Sequence, residues 1–201
     1  MNAASATRRG RPRDPLIDRR VLDAVRELLA TKGLAGTTVQ AVSRLADVRP
    51  NAIYRRWPTR LDMIEEAIFP GFDAISFEPT GRLQEDLSRF AATYRTVLAK
   101  PEVLAAVPFL LSSRDGGQAS QGQRQAWRSV RPIFRAILHA AGGDFVDPAI
   151  EPDDVFDMLI GTILHRTQLI ALGIRSGTDD HTVDLICRAL RPALAEPNIT
   201  D

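Results

Sequence analysis

Apolar residues recur along this chain at intervals of three and four, and no stretch alternates with period two, so the sequence predicts an all-α fold. The first helix is expected over about residues 15–32. Asp14 is its N-cap, Pro15 its first helical residue, and Gly33 its stop. Ile17, Val21, Val25, Leu28 and Leu29 form its buried stripe. A second helix is expected from Thr37, with Thr37-x-x-Gln40 fitting a capping box and Val39, Val42 and Leu45 facing inward. A third opens at Arg49-Pro50, is anchored by Ile53, and ends at Pro58. Thr59 caps a fourth, with Asp62 three residues on and Leu61, Ile64 and Ile68 on its apolar face.

Residues 70–81 hold two prolines and two glycines, the clearest boundary signal in the chain. This gives a basic arm over 1–14, a head over 15–70 and a body over 71–201. The body should contain helices near 82–99, 101–113, 118–141, 152–174 and 180–195, about nine helices in all. The helix at 152–174 is apolar on two faces, one with Phe156, Leu159, Ile160, Ile163 and Ile170, the other with Val155, Met158, Leu169 and Leu172.

Composition narrows the function. No apolar run approaches the roughly 20 residues of a membrane span, and the N-terminus lacks the apolar core of a secretory signal, so a cytoplasmic protein is expected. The single cysteine, Cys187, excludes an internal disulfide and sits in an apolar helical stretch, as a buried structural thiol would. Net charge is +1 overall, but residues 1–70 carry +5 and residues 71–201 carry −4. A basic head on a mildly acidic body suits a protein whose head alone meets polyphosphate. No phosphate-binding loop, dinucleotide fingerprint, nucleophile elbow or Cys/His metal set is present, and His139, His165 and His181 are scattered. Neither an enzyme, a cofactor nor a metal is expected.

The chemistry gathers between Thr37 and Arg60. Two short helices meet at a turn, and the second begins and ends in arginine. A helix fits the major groove, where each base pair shows a distinct pattern of donors and acceptors. Arg49 can take guanine O6 and N7, Asn51 can take adenine N6 and N7, and Pro50 offers apolar contact. Arg55, four residues beyond Asn51 on the same side, reaches a base or a phosphate. Thr38 is a phosphate candidate. Arg56 reads as a solvated charge or a phosphate contact, and Trp57 as a core residue.

Thr37-Thr38-Val39, Ile53-Tyr54-Arg55-Arg56-Trp57 and Pro58-Thr59-Arg60, in this order and spacing, resemble the helix-turn-helix of TetR-type transcriptional regulators. The resemblance covers about residues 15–70. It implies that Tyr54 and Arg60 touch phosphate and that Gln40 reads a base, a role its capping-box position competes with. Asp47 stands in the turn where the family usually has glycine. Arg9-Gly10-Arg11-Pro12 is similar to the core of an AT-hook, whose arginines lie in a narrow minor groove; the alternative is a basic tail.

The resemblance further implies a homodimeric repressor of a palindromic operator, released by a small-molecule ligand. Phe90, Tyr94, Phe109, Trp127, Phe134 and His165 would line the ligand pocket, with His139 or Gln168 as further polar contacts; the alternative for each aromatic is core packing. Phe156, Leu159, Ile163 and Ile170, with Val183, Ile186 and Leu190 of the last helix, would pair with their copies. A helical ligand-binding or protein-interaction module without specific DNA binding is the alternative, and it leaves the arginine-studded third helix unexplained.

Overall fold

The computed structural model of the chain describes residues 14–73, 75–110, 121–143, 145–174 and 178–192; at 71, 73, 108–110, 121–123 and 125–127 it describes the backbone alone. All regular structure among these residues is helical: α1 (Pro15–Gly36), α2 (Val39–Ala46), α3 (Pro50–Tyr54), α4 (Arg60–Ile68), a single turn α5 (Pro70–Asp73), α6 (Leu83–Leu98), α7 (Pro101–Leu110), α8 (Gln121–Ala141), α9 (Pro152–Ala171) and α10 (Asp180–Ala189). The five expected body helices are present, with most ends falling within a few residues of their expected places. The expected linker holds α5 and a run without regular structure over 75–80.

Local chemistry explains the element ends. The Asp14 carboxylate accepts from the Leu16 N–H, and Pro15 opens α1 as expected. Gly33 takes φ 63°, ψ −172°, which breaks the helix geometry where the sequence places a stop. The cap of α2 is one residue later than expected. Thr38, not Thr37, accepts from the Ala41 N–H at 3.1 Å. Thr37 is wholly buried and donates its hydroxyl hydrogen to the Gly33 carbonyl at 2.8 Å. Asp47 closes α2 in the left-handed region at φ 51°, a conformation aspartate tolerates better than most residues. The Thr59–Asp62 capping box of α4 forms as expected.

At the start of α6 the wholly buried Asp86 carboxylate accepts from the Thr80 and Gly81 N–H groups, at 2.8 and 3.0 Å, and from the Thr80 hydroxyl. It thereby fixes Thr80 and Gly81 to the helix they precede.

In the head, Val21, Val25 and Leu29 of α1 meet Val39 and Val42 of α2, Ile53 of α3 and Ile64 of α4. Leu45, expected inside, is 44% exposed; Ala46, four residues on from the buried Val42, takes the inward place. α1 also packs along α7, and α4 against α7 and α8, so head and body share one continuous core.

The body core is aromatic. Phe90 lies 5.8 Å from Phe134 and 6.4 Å from Phe156, ring centre to ring centre, and Phe134 and Phe156 meet edge-on at 5.5 Å. These contacts decide which face of α9 points inward. Phe156, Leu159 and Ile163 are buried where α9 packs on α6 and α8, and Val183 and Ile186 of α10, with Leu190 just beyond it, are buried where α10 packs on α6 and α9 of the same subunit. They cannot also meet a second copy, which corrects the expected interface. Of that set only Ile170 is exposed. Of the other stripe Val155 is buried, and the outward surface carries Met158 (63% exposed), Leu172 (71%) and, on α10, Leu185 (64%).

Candidate nucleic-acid interface

α3 is five residues long, too short to stand alone, so its neighbours define its pose. Ile53 and Trp57 are buried beneath it, and the Trp57 indole N–H donates to a Glu66 carboxylate oxygen at 2.6 Å. Trp57 is a core residue, as expected. Arg49 precedes the helix with extended backbone (φ −59°, ψ 139°), and Pro50 occupies the first turn.

This scaffold leaves one surface for reading. Arg49, Pro50, Asn51, Tyr54 and Arg55 are all exposed. Among the described residues, the side chains of Arg49, Asn51, Tyr54 and Arg55 make no hydrogen bond or ion pair, so their donors and acceptors are free for another molecule. Gln40 joins them: the cap shift takes it out of the capping box and leaves it exposed on α2. Arg44, four residues further along α2 and also exposed, was not singled out by the sequence. Its signal was the i, i+4 spacing from Gln40, which places both on one face.

Two arginines turn inward instead. The Arg60 guanidinium donates through Nε to the Thr37 carbonyl at 2.8 Å and through Nη2 to the Leu34 carbonyl. Expected to hold phosphate, it staples the start of α4 to the α1–α2 corner, where the last carbonyls of α1 lie beyond the regular helix ladder. Arg56, expected in solvent or on phosphate, pairs through Nε with Asp18 of α1 at 2.5 Å and donates to the Ala52 carbonyl at 3.1 Å. Arg9 and Arg11 lie outside the described residues.

Where their side chains are described, the aromatics expected to line a ligand pocket pack on one another and on their neighbours. Phe90 and Phe134 are wholly buried in ring contacts, and Tyr94 packs 5.4 Å from Phe72. Burial pushes the Tyr94 phenol up to about 12, with the Arg131 guanidinium pulling the other way. Arg131 is itself buried, 4.7 Å over the Phe156 ring and paired with Asp153 and Asp157. His165 and His139 point to solvent and leave the pocket set, because each falls on an outer helix face. The side chains of Phe109 and Trp127 lie outside the described residues. An open groove of about 570 Å³ lies elsewhere, at the starting end of α6 and the finishing end of α10, lined by Leu83, Phe145, Cys187 and Arg191 among others; none of the expected pocket residues lines it. Cys187 is buried there, and its burial raises the thiol's pKa.

Among the described residues no His, Cys, Asp or Glu cluster could hold a metal, and no helix is long and apolar enough to cross a membrane. A short helix presenting free arginine, asparagine and tyrosine on a basic head defines a helix-turn-helix DNA-binding protein.

The comparisons carry this to a family. Residues 21–67 match the family described as bacterial regulatory proteins, tetR family, and residues 77–186 match the tetracyclin repressor-like, C-terminal domain. The chain belongs to the TetR family and is a DNA-binding transcriptional regulator. An uncharacterized HTH-type transcriptional regulator of Mycobacterium tuberculosis is 27% identical over 92% of this chain and 93% of its own length. The fold is shared with a TetR family regulator from Shewanella sp. PV-4 (TM-score 0.62, 16% identity, 88% of this chain and 99% of that one). It is also shared with FadR from Bacillus subtilis, solved in complex with stearoyl-CoA (TM-score 0.50, 17% identity, 86% and 96%).

Proposed function

We propose that this regulator is a homodimeric repressor whose two α3 helices read the two halves of a palindromic operator, and that a small molecule bound in the body releases it. The head over residues 15–70 reads DNA and the body over 71–201 dimerises and holds the effector. The observation carrying the DNA reading is the free, outward set Arg49, Asn51, Tyr54 and Arg55 on a helix otherwise locked into the core. Arg49 and Asn51 read base edges; Tyr54, Thr38 and Arg44 hold phosphate; Gln40 and Arg55 stand at the edge of the read bases. Arg60 acts from behind, keeping α4 against the α1–α2 corner.

Dimerisation is supported by the exposed apolar side chains of Met158, Ile170 and Leu172 on and just after α9 and of Leu185 on α10. An α3 helix of one turn and a half reads only a few base pairs, and a two-fold partner doubles the site. The acyl-CoA held by a protein of the same fold supports an apolar effector with a polar end.

DNA selected from a random pool by the intact protein tests this reading. A two-fold symmetric motif supports it, and recovery of no motif overturns it. Loss of the complex on adding an acyl-CoA or a free fatty acid supports the effector reading, and a complex insensitive to both counts against that class.

A further inference from the structure

We infer that the Arg56–Asp18 pair sets the roll of the recognition helix, and that Arg56 is a positioning residue for sequence specificity rather than a DNA contact. The inference rests on α3 being the helix that reads DNA.

α3 has too few residues to hold a conformation of its own. Ile53, and Trp57 just beyond the helix, pin it deeply to the core four residues apart on one buried side, while the small Ala52 is only partly buried beside them. Two pins along one line fix where the helix lies and leave it able to roll about that line. Arg56 supplies a third point off the line. Its Nε donates to Asp18 Oδ1 of α1 at 2.5 Å, and its Nη1 donates to the Ala52 carbonyl at 3.1 Å, so one planar group joins the brace helix to the backbone of α3. Only 11% of the Arg56 side chain and 19% of the Asp18 side chain are exposed, so neither charge is well solvated apart from the other. Arg49 and Asn51 sit at the opposite end of α3, where a small roll carries their tips off the base edges. Bidentate contacts tolerate only about 0.5 Å and 10–20° of error. Arg55, the neighbour of Arg56 in sequence, is exposed and unpaired among the described residues; the two adjacent arginines therefore have separate duties.

The charge pattern distinguishes this from a phosphate contact. A phosphate-binding arginine releases counterions, and its loss lowers the salt slope of binding by about 1. A paired Arg56 releases none.

The test measures binding of the full chain to its selected DNA and to random DNA, at two or more salt concentrations, for Arg56→Gln, Asp18→Asn and the double variant. Folding is checked by circular dichroism and thermal melting. Each single change is expected to lower the ratio of specific to random affinity about tenfold with the salt slope unchanged, and the double variant is expected to be no worse than the poorer single. Three results overturn the inference: a slope reduced by about 1 in Arg56→Gln while Asp18→Asn binds as well as the parent; an unchanged ratio with only the melting temperature lowered; or losses that multiply in the double variant. Should Arg56→Gln not fold, Arg56→Lys, which keeps the charge and loses the planar fork, is judged by the same criteria. A parent that selects no sequence would instead overturn the assignment of α3 itself.

Discussion

Trp57 lies wholly inside the head, yet its indole N–H reaches out to Glu66 on α4, 2.6 Å away. A residue just beyond the recognition helix is thus tied to the helix leading into the body. Trp57→Phe keeps most of the apolar volume and removes the donor. It is expected to lower stability by about 1–3 kcal/mol, read as a shifted midpoint in urea unfolding. An unshifted midpoint would remove this tie from the account.

Asp47 holds the turn between α2 and α3 at φ 51°. Glycine there relieves the left-handed strain but gains freedom in the unfolded chain, so Asp47→Gly should change stability by under about 1 kcal/mol. A β-branched side chain has no such latitude, and Asp47→Val should cost about 1–2 kcal/mol. Equal stability of the two variants would contradict the assigned turn.

The two stripes of α9 give opposite expectations. Phe156→Arg places a charge inside the aromatic core and should prevent stable folding, a loss beyond about 4 kcal/mol. Met158→Arg, on the outward stripe, should leave the fold intact and halve the mass measured by light scattering. A Met158→Arg protein that keeps the parent's mass would place the dimer contact elsewhere.

Tyr94 gives a signal at high pH. Burial raises its phenol from 10.0 to about 12, so the folded chain holds this proton more tightly than the unfolded one. Its contribution to stability is complete below pH 10 and declines as the pH rises towards 12. Tyr94→Phe should flatten that decline when unfolding midpoints are compared between pH 9 and pH 12; equal slopes in the two proteins would contradict it.

The helices and most of their ends were legible in the sequence because prolines, glycines and caps act locally. Asp14-Pro15, Gly33 and Thr59-x-x-Asp62 each behave as their neighbours in the chain dictate. Adjacent threonines defeated this reasoning: either Thr37 or Thr38 can cap, and burial of Thr37 against the Gly33 carbonyl decides between them. The inward turns of Arg56 and Arg60 were not legible at all. Their partners, Asp18 and the Thr37 and Leu34 carbonyls, are 38, 23 and 26 residues away in the chain. The two faces of α9 are equally apolar as sequence, and only the approach of Phe90 and Phe134 to Phe156 shows which one is inside.

The central claim, that Arg49, Pro50 and Asn51 at the opening of α3 read the operator, is tested most directly by selecting DNA from a random pool with the parent and with Arg49→Ala. The parent is expected to recover a palindrome with half-site centres about 34–36 Å apart or somewhat more. Arg49→Ala should relax the same position in both halves and weaken the cognate site by about 1–3 kcal/mol. An identical motif recovered by both proteins would contradict the account.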